Sequence, residues 1–155
     1  MKNLIYSLAF IFIATTLTAQ NEKNYKSFYK TFKEEKSIIG ISAPIGIANW
    51  FIDSDEKELR NIIKRGNKVS ILVFENETPI FDEIDHYLPS KIYEKFLTIK
   101  DKDSRIKILV KENKEKISEI IILIKDNNSF ITMGIYGDFT YDDLSKLSET
   151  MHDKG

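Results

Sequence analysis

ISEIIILIKDNNSFITMGIYGDFTYDDLSKL, residues 117–147, reads as two strands joined by a tight turn and followed at once by a capped helix. Ile120, Ile121, Ile122, Leu123 and Ile124 are five consecutive branched apolar residues. Such a run suits a strand buried on both faces and leaves no polar side for an amphipathic helix. Asp126, Asn127, Asn128 and Ser129 follow, side chains that satisfy local backbone groups and let the chain reverse. The partner strand runs from Phe130 to Tyr136 and ends at Gly137 and Asp138. Thr140 with Asp143 three residues on makes a capping box, opening a helix whose apolar positions are Leu144, Leu147 and Met151.

Working outward, Ile106, Ile108 and Val110 alternate with Lys107 and Lys111, a strand expected to bury its isoleucines and turn its lysines to solvent. Before it, Tyr93, Lys95, Leu97 and Ile99 alternate, with Asp101 to Ser104 as the turn. Short turns join these last four strands, so they should form an antiparallel meander. Val69 to Phe74 is apolar on nearly both sides, and Ile39 and Ile41 mark a short strand ahead of Pro44. Helical segments separate these two strands, which predicts a parallel crossover pairing. Tyr25, Phe28, Tyr29 and Phe32 fall at i, i+3, i+4 and i+7, a helix that packs by its aromatic stripe. DSDEKE at 53–58 places acids at a helix start, with Leu59, Ile62 and Ile63 apolar and Gly66 closing it, and Thr78-Pro79 opens another helix that Pro89 stops. The expected fold is α+β: a two-layer domain with a mixed, mostly antiparallel sheet of about six strands, a C-terminal four-strand meander, and helices packed on the sheet.

The first 19 residues stand apart. Lys2 precedes an almost wholly apolar run from Leu4 to Ile13, and Ala19 closes a stretch of small residues, the pattern of a cleaved signal peptide. That run is too short to span a bilayer. Residues 20–155 then form a single exported domain, periplasmic or secreted and soluble, with no integral membrane segment after cleavage. Lys plus Arg is 23 against 24 acids, and the only arginines are Arg60, Arg65 and Arg105. There is no large field to draw in a polyanion and guanidinium forks are few, so nucleic acid is not expected as a partner. The chain has no cysteine, which excludes disulfides, thiolate metal sites and thiol nucleophiles.

Few residues invite chemistry. His86 and His152 share no metal-ligand spacing, and Asp82, four residues before His86, predicts a solvated helix-face ion pair. Asp138, Asp142 and Asp143 lack the calcium-loop spacing and are read as turn and cap residues. Gly40-Ile41-Ser42-Ala43-Pro44 lacks the second glycine of a nucleophile elbow, and Gly134 and Gly137 sit in a strand rather than before a helix, so they cradle no phosphate. No catalytic residue, metal or cofactor is expected. The uncharged stretch from Ser37 to Ile52 carries the only Trp; Trp50 and Phe51, adjacent on a helix, point about 100° apart, so one should stay exposed as a candidate partner surface.

The signal ending in Ala-Gln, the 117–147 segment and the upstream YEKFLTIKDKDSRIKILVKEN hairpin resemble the family called domain of unknown function 4252, small exported proteins of Bacteroidetes. The resemblance rests mainly on Glu119 and on Gly137-Asp138-Phe139, covers about residues 25–151, and implies export and this order of elements without an activity or a ligand. Glu119 is read as a solvated strand start and Asp138 as a turn acceptor. The expected function is a non-enzymatic cell-envelope module that binds a protein partner or senses a condition; the alternative is a small periplasmic enzyme assembled from scattered residues.

Overall fold

The computed structural model describes residues 22–47, 57–76 and 79–153. Their elements follow in the order α1 (Tyr25–Phe32), β1 (Ile38–Pro44), α2 (Lys57–Lys64), β2 (Gly66–Phe74), a 3-10 turn (Pro79–Phe81), α3 (Ile84–Tyr87), β3 (Glu94–Lys100), β4 (Arg105–Asn113), β5 (Lys116–Lys125), β6 (Phe130–Phe139) and α4 (Tyr141–Asp153). The strands make one six-stranded sheet in the order β1-β2-β6-β5-β4-β3, an α+β arrangement. Each pair is antiparallel. The meander of β3 to β6 is as expected, and β5 is buried on both faces, with Ile120, Ile121 and Leu123 fully enclosed.

Two features differ from the sequence expectation. β1 and β2 pair antiparallel, Ile38 opposite Phe74 through Pro44 opposite Lys68, because the connection between them returns the chain beside β1 running the other way. The sheet also carries helices on both faces, giving three layers rather than two. On one face Tyr25, Phe28 and Phe32 of α1 meet Phe81, Ile84 and Leu88 over Leu72, Phe74, Leu109, Ile121, Leu123 and Phe130. On the other, Ile62 of α2 and Leu144 and Leu147 of α4 lie over Val69, Val110, Ile117, Ile120, Ile135 and Phe139. The period of two divides each central strand between these two cores, so a strand apolar at every position requires both to exist.

Local signals account for the element ends. The Asn24 side chain accepts from the Ser27 N–H at 2.9 Å and caps α1. Asp126 accepts from the backbone N–H groups of Asn128 and Ser129 at 2.8 and 2.7 Å, fixing the β5–β6 turn, and these bonds hold its carboxyl below the usual range. The expected capping box forms: Thr140 donates to Asp143 Oδ2 from its N–H at 2.8 Å and its hydroxyl at 3.0 Å, and the Asp143 N–H returns a bond to Thr140 Oγ1 at 3.2 Å. Arg65 Nη1 adds a third contact to the same carboxylate at 2.9 Å, tying the end of α2 to the start of α4. Gly137 makes that junction possible, since a Cβ there would stand 2.6 Å from the Arg65 carbonyl oxygen and 2.8 Å from the Gly66 Cα. The segment expected as one helix after Thr78 is instead a 3-10 turn and a single α-helical turn.

Candidate binding surface

Two arrangements stand out: a polar thread enclosed on the α1 face, and an aliphatic plane on the opposite face. The thread begins at the α1 N-terminus. The Tyr25 N–H donates to the Tyr93 hydroxyl at 2.9 Å, Tyr93 donates to Glu119 Oε2 at 2.8 Å, and Lys111 Nζ lies 3.4 Å from Glu119 Oε1. The Tyr25 hydroxyl donates to the Ser70 carbonyl at 3.0 Å and shares a 2.9 Å bond with the Thr132 hydroxyl, while Ser70 Oγ bonds Ser42 Oγ at 3.0 Å. Glu119, expected as a solvated strand start, is therefore a largely enclosed acceptor, its side chain 13% exposed, because β5 is central and Tyr93 and Lys111 close on its carboxylate.

This thread holds structure. Burial pushes the hydroxyls of Tyr25, Tyr93 and Tyr136 well above the ordinary tyrosine range, and the Glu119 carboxylate adds to the effect at Tyr93 and Tyr136. A phenol raised in this way keeps its proton and is a poor nucleophile or base at neutral pH. Among the described residues every buried side-chain nitrogen or oxygen has a hydrogen-bond partner, so the thread aims no free polar atom at a substrate.

The opposite face is the unusual one. The strand registers align Ile39, Val73, Ile131, Ile124, Ile106 and Ile99 in a row crossing all six strands. A second row, Ile41, Ile71, Met133, Ile122, Ile108 and Leu97, runs beside it. A third holds Ala43, Val69, Ile135, Ile120 and Val110 and ends in Glu94, the one polar residue of the three. α2 and α4 cover the third row, but no member of the first is fully buried, and Ile39 and Ile41 are 49% and 51% exposed. Six β-branched residues in register leave a rigid aliphatic strip, since each side chain has little rotamer freedom.

The residues singled out in the sequence distribute as follows. Trp50 and Phe51 lie outside the described residues. His86 is exposed and sets its ring edge-on to Tyr87 at 5.4 Å; Asp82 instead faces Arg105 and Lys125, each at 3.8 Å. The expected His86–Asp82 pair is not made, because the chain there forms a 3-10 turn and not a continuous helix. Lys107, expected to point to solvent, lies over the Phe81 ring at 4.6 Å, since the outer side of β4 is the inner side of the α1 layer. Asp138 pairs with Lys116 at 2.8 Å, Asp142 with Lys146 at 2.9 Å, and Asp143 with Arg65. Among the described residues no group of three His, Asp or Glu side chains could hold a metal ion, and no helix is long and apolar enough to cross a membrane.

Residues 42–147 match a protein family described as a domain of unknown function, DUF4252. The chain belongs to that family. No curated protein and no solved structure shows a significant match. The DUF4252 match runs from late β1 to α4 and is narrower than the expected 25–151, leaving α1 outside. The aliphatic strip thus lies almost wholly within the DUF4252 region, only Ile39 and Ile41 preceding it, whereas Tyr25 at the head of the polar thread is contributed from outside it. The sequence signal for the strip was present in the alternation of β2, β4, β5 and β6. Which strands lie side by side was not, and the strip exists only through that adjacency.

Proposed function

We propose that the protein is an exported, non-catalytic envelope module that binds another envelope protein through the aliphatic strip of its sheet. The observation that carries this reading is the row Ile39-Val73-Ile131-Ile124-Ile106-Ile99, apolar across six strands and without a buried member. Contiguous exposed apolar surface costs solubility and is kept where a partner covers it. A strip without charge suits a partner face of uncharged branched or aromatic side chains; it offers no hydrogen bond to orient a small substrate.

Export rests on the N-terminal pattern of Lys2, the apolar run and Ala19. The enclosed tyrosine–Glu119 thread argues against an enzyme reading, and so does the concavity between the β3–β4 and β5–β6 turns. That concavity gathers Asp101, Asp103 and Asp126 from the turns with Arg105 and Lys125 from the strand ends, a set of mixed charge.

The test is site-specific photocrosslinking in the producing cell. A benzophenone amino acid at Ile131, mid-strip, should give an adduct with a different envelope protein, and one at Lys102, in the β3–β4 turn, should not. Absence of any heterologous adduct from Ile131 and from Ile106, or equal adducts from Lys102, would overturn the reading.

A further inference from the structure

The aliphatic strip runs to β1, the edge of the described sheet. The two sheet edges are built differently. β3, at one edge, begins with Glu94 and Lys95, ends with Lys100, and has a register break between Lys95 and Leu97. Charges and a bulge are how an edge resists further pairing. β1, at the other edge, is Ile38-Ile-Gly-Ile-Ser-Ala-Pro44: seven residues without a charge, paired to β2 over their whole length without a break. Its Ile39 and Ile41 are the most exposed large hydrophobic side chains of the described residues. Among those residues nothing pairs with its outer edge. An edge that is regular, uncharged and aliphatic is a template for another strand.

We propose that β1 pairs antiparallel with β1 of a second copy of this chain, about a two-fold axis at Gly40, making one continuous twelve-stranded sheet. This rests on the reading of the aliphatic strip as a binding surface and lengthens that surface across two copies. The register follows from the residues. With the axis at Gly40, Ile39 lies opposite Ile41 of the partner subunit, so the first row of one copy continues into the second row of the other with aliphatic against aliphatic. Ile38 lies opposite Ser42 of the partner subunit. Pro44, which cannot donate to a ladder, falls opposite Lys36 of the partner subunit, past the paired segment, so its missing N–H interrupts nothing.

A second copy fits better than an unrelated strand on grounds of charge. β1 has no charge with which to select a different sequence, and a two-fold self-pairing of uncharged residues carries no like-charge opposition within the strands. α1 lies above β1 and β2, with Lys33 Cβ and the Tyr29 hydroxyl close to Gly40, so these two side chains are the ones that meet their symmetry mates across the axis. Lys33 is paired to Glu34 at 3.4 Å, which moderates the approach of two like charges across the axis. Five paired residues and two helix flanks make a small interface, so the dimer should be weak, with a dissociation constant in the micromolar range.

The test is sedimentation velocity of the exported chain over concentrations from about 1 μM to 1 mM, alongside Ile41→Lys and, as a control on the opposite edge, Thr98→Lys. A reversible monomer–dimer equilibrium is expected for the wild type and for Thr98→Lys. Ile41→Lys should be at least tenfold weaker with an unchanged thermal midpoint, since Ile41 is half-exposed in the single chain. Because the chain has no cysteine, the double variant Ile39→Cys, Ile41→Cys reports the register directly: mild oxidation should give a covalent dimer. A wild type that stays monomeric to 1 mM, or an Ile41→Lys variant that dimerises undiminished, would overturn the pairing. A monomer that still gives heterologous adducts at Ile131 removes the dimer alone. A dimer without such adducts removes the envelope-partner reading alone.

Discussion

A methyl group at residue 134 should be among the most damaging small changes this fold can take. Gly134 lies in β6 opposite Ser70 and Ile121, beneath α1. A Cβ built there would stand 2.2 Å from Tyr25 Cε1 and 2.3 Å from Cδ1, far inside contact distance. Tyr25 cannot step aside cheaply. It is fully buried, its hydroxyl is bound to the Ser70 carbonyl and Thr132, and its own N–H is bound to Tyr93. Overfilling a packed site costs about 1–3 kcal/mol, and moving the ring breaks two side-chain hydrogen bonds worth about 1 kcal/mol each. Gly134→Ala should therefore lose about 3–5 kcal/mol, a fall of about 10 °C or more in the thermal midpoint for a chain of this size. Urea denaturation of a double-mutant cycle isolates the cause. Tyr25→Ala alone should cost about 3–5 kcal/mol by leaving a cavity, and adding Gly134→Ala to it should cost less than about 1 kcal/mol, because the methyl then enters the space left by the ring. A Gly134→Ala variant within about 0.5 kcal/mol of wild type, or additive costs in the double variant, would refute the account.

Further outcomes follow from the same contacts. The tyrosines raised by burial keep their protons in the folded chain, while in the unfolded chain they ionise near pH 10, so the stability they contribute is fully present below pH 10 and is lost as pH rises above it. Absorbance at the tyrosinate band should then rise in two stages, the second coinciding with loss of circular dichroism; one smooth titration with the fold intact would contradict this. Asp143→Ala removes the α4 cap and the Arg65 contact and should cost about 1–2 kcal/mol in chemical denaturation, with Asp142→Ala near zero as the control. Ile122→Ala, in β5, should cost about 2–5 kcal/mol, and Lys107→Ala, stripped from the face of Phe81, about 0.5–1 kcal/mol; equal midpoints for the two would place β5 wrongly. If Trp50 belongs to the partner surface, as proposed from its uncharged segment, acrylamide should quench its fluorescence; an unquenched, blue-shifted emission would remove it.

Local patterns in the sequence specify local structure here with little loss. The run Ile120 to Ile124 states that β5 is buried on both faces, the Asp126 to Ser129 turn places β6 against it, and Thr140 with Asp143 starts α4 where the hydrogen bonds are found. Each is set by interactions within a few residues, or by the period of two that sends alternate side chains to opposite faces. Side-by-side placement of distant segments is of another kind. Nothing near β2 encodes that it lies between β1 and β6, so its antiparallel pairing with β1 emerges only when the sheet closes around both. Glu119 and Lys107 have polar residues' patterns, yet one bonds Tyr93 and the other covers Phe81, because α1 and the 3-10 turn add a third layer over positions that alternation alone sends to water. The aliphatic strip is decided at that same level. Each strand supplies one or two of its side chains for reasons of strand propensity, and the antiparallel register, fixed by the summed burial of two cores, is what brings Ile39, Val73, Ile131, Ile124, Ile106 and Ile99 into line.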